Sequence, residues 1–186
     1  FGFARFLGDL IERAKPHYIA VAFDESLTTS FRNQIYPAYK ANRDPPPAAF
    51  SVFPGVADIE VAPRVEGEFD AAIVLESSDL ARTGVEGIER AFLINIDHHP
   101  GNTGYGAINW FDPGASACGE MVFALVQALG VTLSAEIATH LYLAILTDTG
   151  GFHFSNVTSR TFDICRQLVE AGADPEAVAR AAYDNY

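Results

Sequence analysis

Long hydrophobic runs are missing from this sequence, although 49% of its residues are hydrophobic. No run approaches the roughly 20 apolar residues that a membrane-spanning helix needs, so we expect no membrane contact. Cysteine is also scarce, and both Cys118 and Cys165 fall in predicted helices with apolar neighbours. Two buried thiols in a reducing compartment are therefore favoured over a disulfide or a metal pair, which predicts a cytoplasmic protein.

Positive charge is in short supply, because 12 Lys and Arg face 24 Asp and Glu, for a net charge of −12. Residues 1–47 hold six of the basic and five of the acidic residues, so residues 48–186 are strongly acidic. Such a body lacks the basic surface that grips a long nucleic-acid duplex. It is compatible with small anionic substrates if metal ions supply positive charge locally.

The remaining composition is typical of a packed globular protein, with 186 residues and 19% charged side chains. This length suits one ordinary domain or two small ones. The N-terminus, Phe1-Gly2-Phe3, lacks both Met and a signal-peptide pattern, so we expect it to lie inside a longer protein. A proline tract at 45–47 cannot continue a helix, and we place a domain boundary there, between 1–47 and 48–186.

Apolar segments after this boundary alternate between strand and helix patterns, which predicts an α/β fold with a parallel sheet of about five strands and helices on both faces. An apolar strand pattern at 18–23 precedes the boundary. The later predicted strands are 58–61, 71–75, 92–96 and 107–110, and the predicted helices are 116–129, 134–146, 159–171 and 175–185. Ser116 and Ser134 are expected N-caps of two of these helices.

Metal-competent side chains follow two of the predicted strands and one predicted helix. Asp97-His98-His99 ends the strand at 92–96, Glu76 follows the strand at 71–75, and Asp148 follows the helix at 134–146. Ligands of open α/β sheets bind at the carboxyl ends of the strands, so these groups are expected to share one crevice. Carboxylates with imidazoles suit manganese, zinc or iron better than calcium, and such ions support hydrolysis of phosphate esters.

These segments together resemble the DHH phosphoesterase family over residues 50–186, and most of all its bacterial members that trim very short RNAs and dephosphorylate 3′-phosphoadenosine 5′-phosphate. The resemblance implies a DHH-type N-terminal domain and a hydrolase that uses one or two Mn²⁺ ions, with Mg²⁺ as the alternative. It rests on motifs around Glu76, Asp97-His98-His99, Ala115-Ser116-Ala117-Cys118-Gly119-Glu120 and Asp148.

The same resemblance implies a role for each motif residue. Glu76, His98 and Asp148 would bind metal, Asp97 would orient the imidazoles, and Asp97, His98 and His99 form the catalytic set. His99 would contact a substrate phosphate, and Arg82 would reach a phosphate or pair with an acid of its own motif. The expected substrates are short oligonucleotides or nucleotide phosphates, and an oligomer is compatible with the sequence.

This chain departs from the family pattern in three places. The His and the Asp-x-Asp motif that normally end the first strand are missing, and Glu76 stands where Asp is usual. The family's C-terminal substrate-binding domain also has no counterpart before Tyr186. We therefore expect weak turnover.

Residues 1–47 contain Ala20-Val21-Ala22-Phe23-Asp24, Phe31-Arg32, Tyr36-Pro37, Tyr39-Lys40-Ala41 and Arg43. By these motifs the segment resembles a different family, the 5′→3′ exonuclease domain of bacterial DNA polymerase I. In that family Asp24 would be a metal-site carboxylate, and Arg32, Lys40 and Arg43 would contact DNA phosphate. If the strand at 18–23 completes the sheet, Asp24 points into the crevice; otherwise it is a solvated turn residue. The chain is thus predicted to be a composite of two families, whether as a fusion, a designed sequence or an excised piece.

Three functions remain open from the sequence. The first is a metal-dependent phosphoesterase. The second is a non-catalytic module that retains the fold and binds metal. The third is a DNA-binding module that uses the basic residues before the proline tract; the charge of −12 argues against it.

Overall fold

A computed structural model describes residues 20–22, 52–56, 59 and 62–183 of the chain. These residues fall into two compact units, one within Tyr18–Asn109 and the other within Trp110–Tyr186. The predicted strand at 58–61 lies largely outside the described residues, as do Asp24, Arg32, Lys40 and Arg43. The proposed boundary at 47/48 lies there as well, so the division of the chain into 1–47 and 48–186 stays a prediction.

The first unit is built on a parallel sheet. Strand β1 (Ala20–Ala22) pairs with β2 (Ala71–Leu75), and β2 pairs with β3 (Phe92–Asp97), in both cases in parallel. Strand β4 (Ile108–Phe111) follows β3 in the sheet order. The predicted α/β class with a parallel sheet is therefore confirmed. The predicted number of about five strands is wrong for the described residues, where three strands are parallel and β4 is the only further one.

Continuous apolar runs explain why β2 and β3 form the centre of this sheet. The three middle residues of β2 are buried, and β3 is buried from its second residue to its end. Strands buried on both faces contain few polar residues, which is the pattern of a parallel sheet. Ala72, Val74 and Leu93 form a core cluster with Ile88, which belongs to a short 3-10 helix, Ile88–Arg90.

Four helices make up most of the second unit. They are α1 (Cys118–Ala128), α2 (Ala135–Asp148), α3 (Ser159–Glu170) and α4 (Pro175–Tyr183). Helix α2 packs against each of the other three. A Cβ atom on Gly119 would lie 3.1 Å from the Cβ of Ala144, so glycine at this position lets α1 approach α2 closely. Each helix in the described part of the chain is too short or too polar to cross a lipid bilayer.

Side-chain caps set the starts of most of these helices. The hydroxyl of Ser134 accepts from the amide of Ile137, as predicted, and Thr158 caps α3. Ser116 was expected to cap α1, and this is wrong, because the N-cap is Ala117 and has no side-chain bond. The hydroxyl of Ser116 instead donates to the buried Glu120 carboxylate at 2.6 Å. A buried carboxylate gains more from this donor than a helix end does, because an unpaired buried charge is costly.

Candidate metal centre

Glu76 stands at the point where β2 ends, and its backbone is unusual. Its φ angle is 61°, in the left-handed region that non-glycine residues seldom adopt. The amide of Glu76 still donates to the carbonyl of Ile96 at 3.1 Å, so the ladder between β2 and β3 extends through this residue. The left-handed turn costs on the order of 1 kcal/mol and ends the strand with the carboxylate facing the histidines.

Glu76, His98 and His99 form a group that can hold a metal ion. One ligand atom from each of these residues lies within 4.8 Å of the others, and all three side chains are half-buried. The Oε1 atom of Glu76 is 3.0 Å from Nε2 of His98 and 3.5 Å from Nδ1 of His99. Glu76 reaches this position from β2 and the histidines from the end of β3, as the rule for parallel sheets predicts.

This group fits a small divalent cation. Adjacent ligands of an octahedral ion with bonds of about 2.1 Å are about 3 Å apart, which is the separation of the Glu76 and His98 atoms. A carboxylate and an imidazole are ligands that manganese or zinc accepts. Without an ion, the same two atoms are close enough to share a proton in a hydrogen bond.

Asp97 is hydrogen-bonded to the ring of His99. It is the last residue of β3 rather than the first residue after it, and its side chain is fully buried. Its Oδ1 atom accepts from Nδ1 of His99 at 2.8 Å, and its Oδ2 atom accepts from Asn102 at 2.6 Å. This contact fixes the proton of His99 on Nδ1 and leaves Nε2 available to a ligand. Asp97 therefore acts on the imidazole of His99, in agreement with the orienting role that the family resemblance implies.

The charges of this pair shift both pKa values. Burial opposes ionisation of Asp97, but its hydrogen bonds with His99 and Asn102 prevail, and its pKa is lowered. The hydrogen bond to Asp97 raises the pKa of His99 despite partial burial, and the nearby carboxylate of Glu76 raises it further. The ion pair of Asp97 and His99 thus stabilises the fold at pH values between the pKa of Asp97 and the pKa of His99. That contribution is lost when pH falls through the pKa of Asp97 and when it rises through the pKa of His99.

We expect this coupling to be visible in the metal-free protein. The imidazole of His99 should titrate above the ordinary histidine pKa in an NMR pH series, and Asp97→Asn should move its midpoint to lower pH. A His99 midpoint that Asp97→Asn leaves unchanged would show that the 2.8 Å contact does not control its charge.

Two further predicted site residues, Asp148 and Arg82, lie within the described part of the chain. Asp148 is the last residue of α2, in the second unit, because that helix extends two residues beyond its predicted end. Its role as a metal ligand stays a prediction. Arg82 lies in a short 3-10 helix, Leu80–Thr83, and donates to the hydroxyl of Ser78 at 3.1 Å. Its proposed contact with substrate stays a prediction too.

The sequence did not predict the two asparagine side chains that lie behind this centre. Asn95 is fully buried inside β3, and Asn102 lies on the turn after the histidines. The amide group of Asn102 donates to Asn95 at 2.8 Å as well as to Asp97. The available signal was a polar residue inside an otherwise apolar strand, since a buried amide needs a partner.

Comparisons with known proteins agree with both resemblances. The 5′-3′ exonuclease N-terminal resolvase-like domain family matches residues 1–61. The bifunctional oligoribonuclease and PAP phosphatase NrnA of Thermus thermophilus is 39% identical over 100 residues, which are 54% of this chain and 31% of that protein. The probable enzyme of the same name from Streptococcus mutans is 43% identical over 91 residues, 48% of this chain and 29% of that protein.

Similarity of structure extends further along the chain than similarity of sequence. An exopolyphosphatase-related protein from Bacteroides fragilis superposes with a TM-score of 0.76 at 21% identity, covering 98% of this chain and 60% of that one. At this identity the match shows a shared fold. This chain spans only about a third of the length of the curated relatives named above. The predicted resemblance to the DHH phosphoesterases is confirmed, as is that of the N-terminal segment to a 5′-3′ exonuclease fragment.

Proposed function

We propose that this chain carries the metal centre of a phosphoesterase that hydrolyses short oligonucleotides or nucleotide phosphates with Mn²⁺. The observation that carries the proposal is the group of Glu76, His98 and His99 at the carboxyl end of the parallel sheet. Its ligand types and the 3.0 Å spacing between Glu76 and His98 favour a small divalent ion. Mg²⁺ is the alternative, although imidazole ligands make manganese the better match.

Each residue of the centre has a distinct part in this proposal. Glu76 and His98 hold the ion, and Asp148 is the further ligand that the family resemblance implies. A bound divalent ion would acidify a water ligand and offset the negative charge of a phosphate. His99 donates its Nδ1 proton to Asp97, which leaves Nε2 to face the substrate phosphate. Nε2 would donate to that phosphate in the doubly protonated ring, which the raised pKa of His99 favours.

The size of the substrate is inferred from charge and from the names of the relatives. The chain has a net charge of −12, which opposes binding of a long polyanion. The two bacterial relatives are named as oligoribonuclease and PAP phosphatase, both of which act on small nucleotides. A short substrate presents few phosphates, so a local metal charge can compensate for the acidic surface.

Release of nitrophenol from the p-nitrophenyl ester of thymidine 5′-monophosphate tests this function. We expect slow, Mn²⁺-dependent turnover that chelation abolishes and that His98→Ala reduces to the background rate. His140→Ala is the matched control, since it removes a half-buried histidine that is not a member of the described ligand group, and it should keep turnover within about threefold. Mn²⁺ binding without turnover would instead support a non-catalytic metal-binding module.

A second candidate function concerns the N-terminal segment. The exonuclease family match covers residues 1–61, which include Arg32, Lys40 and Arg43. We propose that these basic residues make weak, salt-sensitive contacts with DNA phosphates. Loss of binding to a flap-containing duplex in the Lys40→Ala, Arg43→Ala double variant would support this function; binding that is insensitive to salt would contradict it.

A further inference from the structure

We propose that Asn102 is a positioning residue that fixes the distance between Glu76 and His99 across the edge of the sheet. The inference rests on the metal centre proposed above. It adds a role for the turn that follows the two histidines. The backbone amide of Asn102 donates to the carbonyl of His99 at 3.3 Å. Its side chain acts through the buried side chains of Asp97 and Asn95, with a longer bond of 3.5 Å to the carbonyl of Ser77.

Asn102 is linked to His99 by hydrogen bonds through Asp97. The amide nitrogen of Asn102 donates to Oδ2 of Asp97 at 2.6 Å, which is short for a bond from a neutral donor. The other oxygen of Asp97 accepts from the ring of His99 at 2.8 Å. Asn102 therefore sets the rotation of the carboxylate about its Cβ–Cγ bond. A carboxylate held at both oxygens fixes the imidazole plane better than one held by the imidazole alone.

Asn102 is also linked, through Asn95, to the backbone next to Glu76. The same nitrogen of Asn102 donates to Oδ1 of Asn95 at 2.8 Å, and Asn95 in turn donates to the carbonyl of Ser77 at 3.2 Å. The hydroxyl of Tyr105 also donates to this carbonyl, at 3.1 Å. Ser77 directly follows Glu76, whose backbone is in the left-handed region. Donors on this carbonyl help to hold the strained turn that presents the Glu76 carboxylate.

Loss of the Asn102 amide group is costly because its two partners are buried. Asn95 and Asp97 are both fully buried, so water cannot readily replace a lost donor at either side chain. Removing the amide of Asn102 takes a donor from both residues at once. Such a loss costs more than the net contribution of a typical hydrogen bond, because buried acceptors remain without compensation. The carboxylate of Asp97 then keeps only its bonds from the backbone amide and the ring of His99, both at Oδ1, and the His99 ring is held less firmly.

Asn109 provides a matched control for this role. Its side chain binds the same loop, donating to the carbonyls of Gly104 and Gly106 and accepting from the amide of Gly106. None of these three bonds involves Asp97 or Asn95. Asn102 also supports the loop, since its Oδ1 atom accepts from the amide of Gly104 at 2.8 Å. Asn109→Ala therefore loosens the loop and keeps the connection to the metal ligands.

The test compares three single variants of the full chain: Asn102→Ala, Asn102→Ser and Asn109→Ala. A serine hydroxyl can still accept from the amide two residues on, so Asn102→Ser keeps the turn if Asn102→Ala fails to fold. The readouts are Mn²⁺ affinity without substrate, by electron paramagnetic resonance of free Mn²⁺, and the ¹⁵N shifts of the His99 ring in metal-free protein. The second readout reports which ring nitrogen carries the proton, and it needs neither metal nor activity.

We expect both Asn102 variants to weaken Mn²⁺ binding by about 10-fold, because the turn that presents the proposed ligand Glu76 loses support. In its neutral form, at a pH above its pKa, the ring of His99 should also lose its preference for the proton on Nδ1. Asn109→Ala should change affinity by less than about threefold and leave the ring signals as they are. Equal effects of the Asn102 and Asn109 variants, or unchanged ring signals in both Asn102 variants, would overturn the role of Asn102. An unaltered chain that binds no Mn²⁺ would refute the proposed function, while the ring signals would still decide the role of Asn102.

Discussion

His98→Ala is expected to lower the Mn²⁺ affinity of this chain by at least about 100-fold, which is about 2.7 kcal/mol of binding free energy. Nε2 of His98 is the atom closest to the Glu76 carboxylate among the described ligand groups, at 3.0 Å. Alanine removes this ligand and leaves Glu76 as the remaining ligand from the strand ends, with Asp148 as the further proposed one. The loss should exceed that of a variant such as Asn102→Ala, because a direct ligand is lost instead of its support.

Isothermal titration with Mn²⁺ at fixed pH measures this effect. Affinity is pH-dependent wherever a ligand competes with protons, so the variant and the unaltered chain must share one buffer. His140→Ala again serves as the control, and it should bind Mn²⁺ as the unaltered chain does. If His98→Ala reduced affinity by less than about threefold, the ion would be held elsewhere and the assignment of this centre would be wrong.

Glu120→Ala is expected to destabilise the second unit by about 2–3 kcal/mol, because two buried hydroxyls and the half-exposed guanidinium of Arg160 lose a fully buried acceptor. The Glu120 side chain is fully buried and accepts from Arg160 at 2.7 Å, from Ser116 at 2.6 Å and from Thr161 at 2.7 Å. Arg160 also contacts Asp112. Alanine leaves a guanidinium and two hydroxyls without their shared acceptor and opens a cavity in the packed interior.

A second glutamate in the same unit makes a close control. Glu170 also lies 2.7 Å from an arginine, Arg166, but both side chains are more than half exposed. Glu170→Ala should therefore cost no more than about 0.5 kcal/mol, because a surface pair gains little over hydration of the separate ions. Urea unfolding followed by circular dichroism compares the two variants. Similar losses of unfolding free energy in both would show that burial does not determine the strength of the Glu120 pair.

Much of the fold was predictable because its central elements are continuous apolar runs bounded by turn residues. The predicted bounds of β2 agree with the structure, and those of β3 differ by the single residue Asp97. The sequence could not show that Asp97 continues the strand, because a buried acid breaks the apolar pattern. Only its hydrogen-bonding partners, His99 and Asn102, explain why a carboxylate is stable there.

The proximity of Glu76 to the two histidines was predictable, whereas the amide side chains behind them were not. Glu76, His98 and His99 stand at strand ends, where topology brings them together, and the structure does so. Asn102 belongs to a turn, and its contacts depend on how that turn folds back over β3. Ser116 was misassigned for the same reason, since its partner Glu120 is buried by the packing of neighbouring helices. Local sequence gives no measure of such burial.

The central claim is that Glu76 and His98 share one divalent ion. Crystals grown with Mn²⁺ and measured above the manganese absorption edge test it most directly. An anomalous difference peak within bonding distance of the Glu76 carboxylate and of Nε2 of His98 is the expected result. A map with no peak beside these two side chains, at saturating Mn²⁺, would contradict the account.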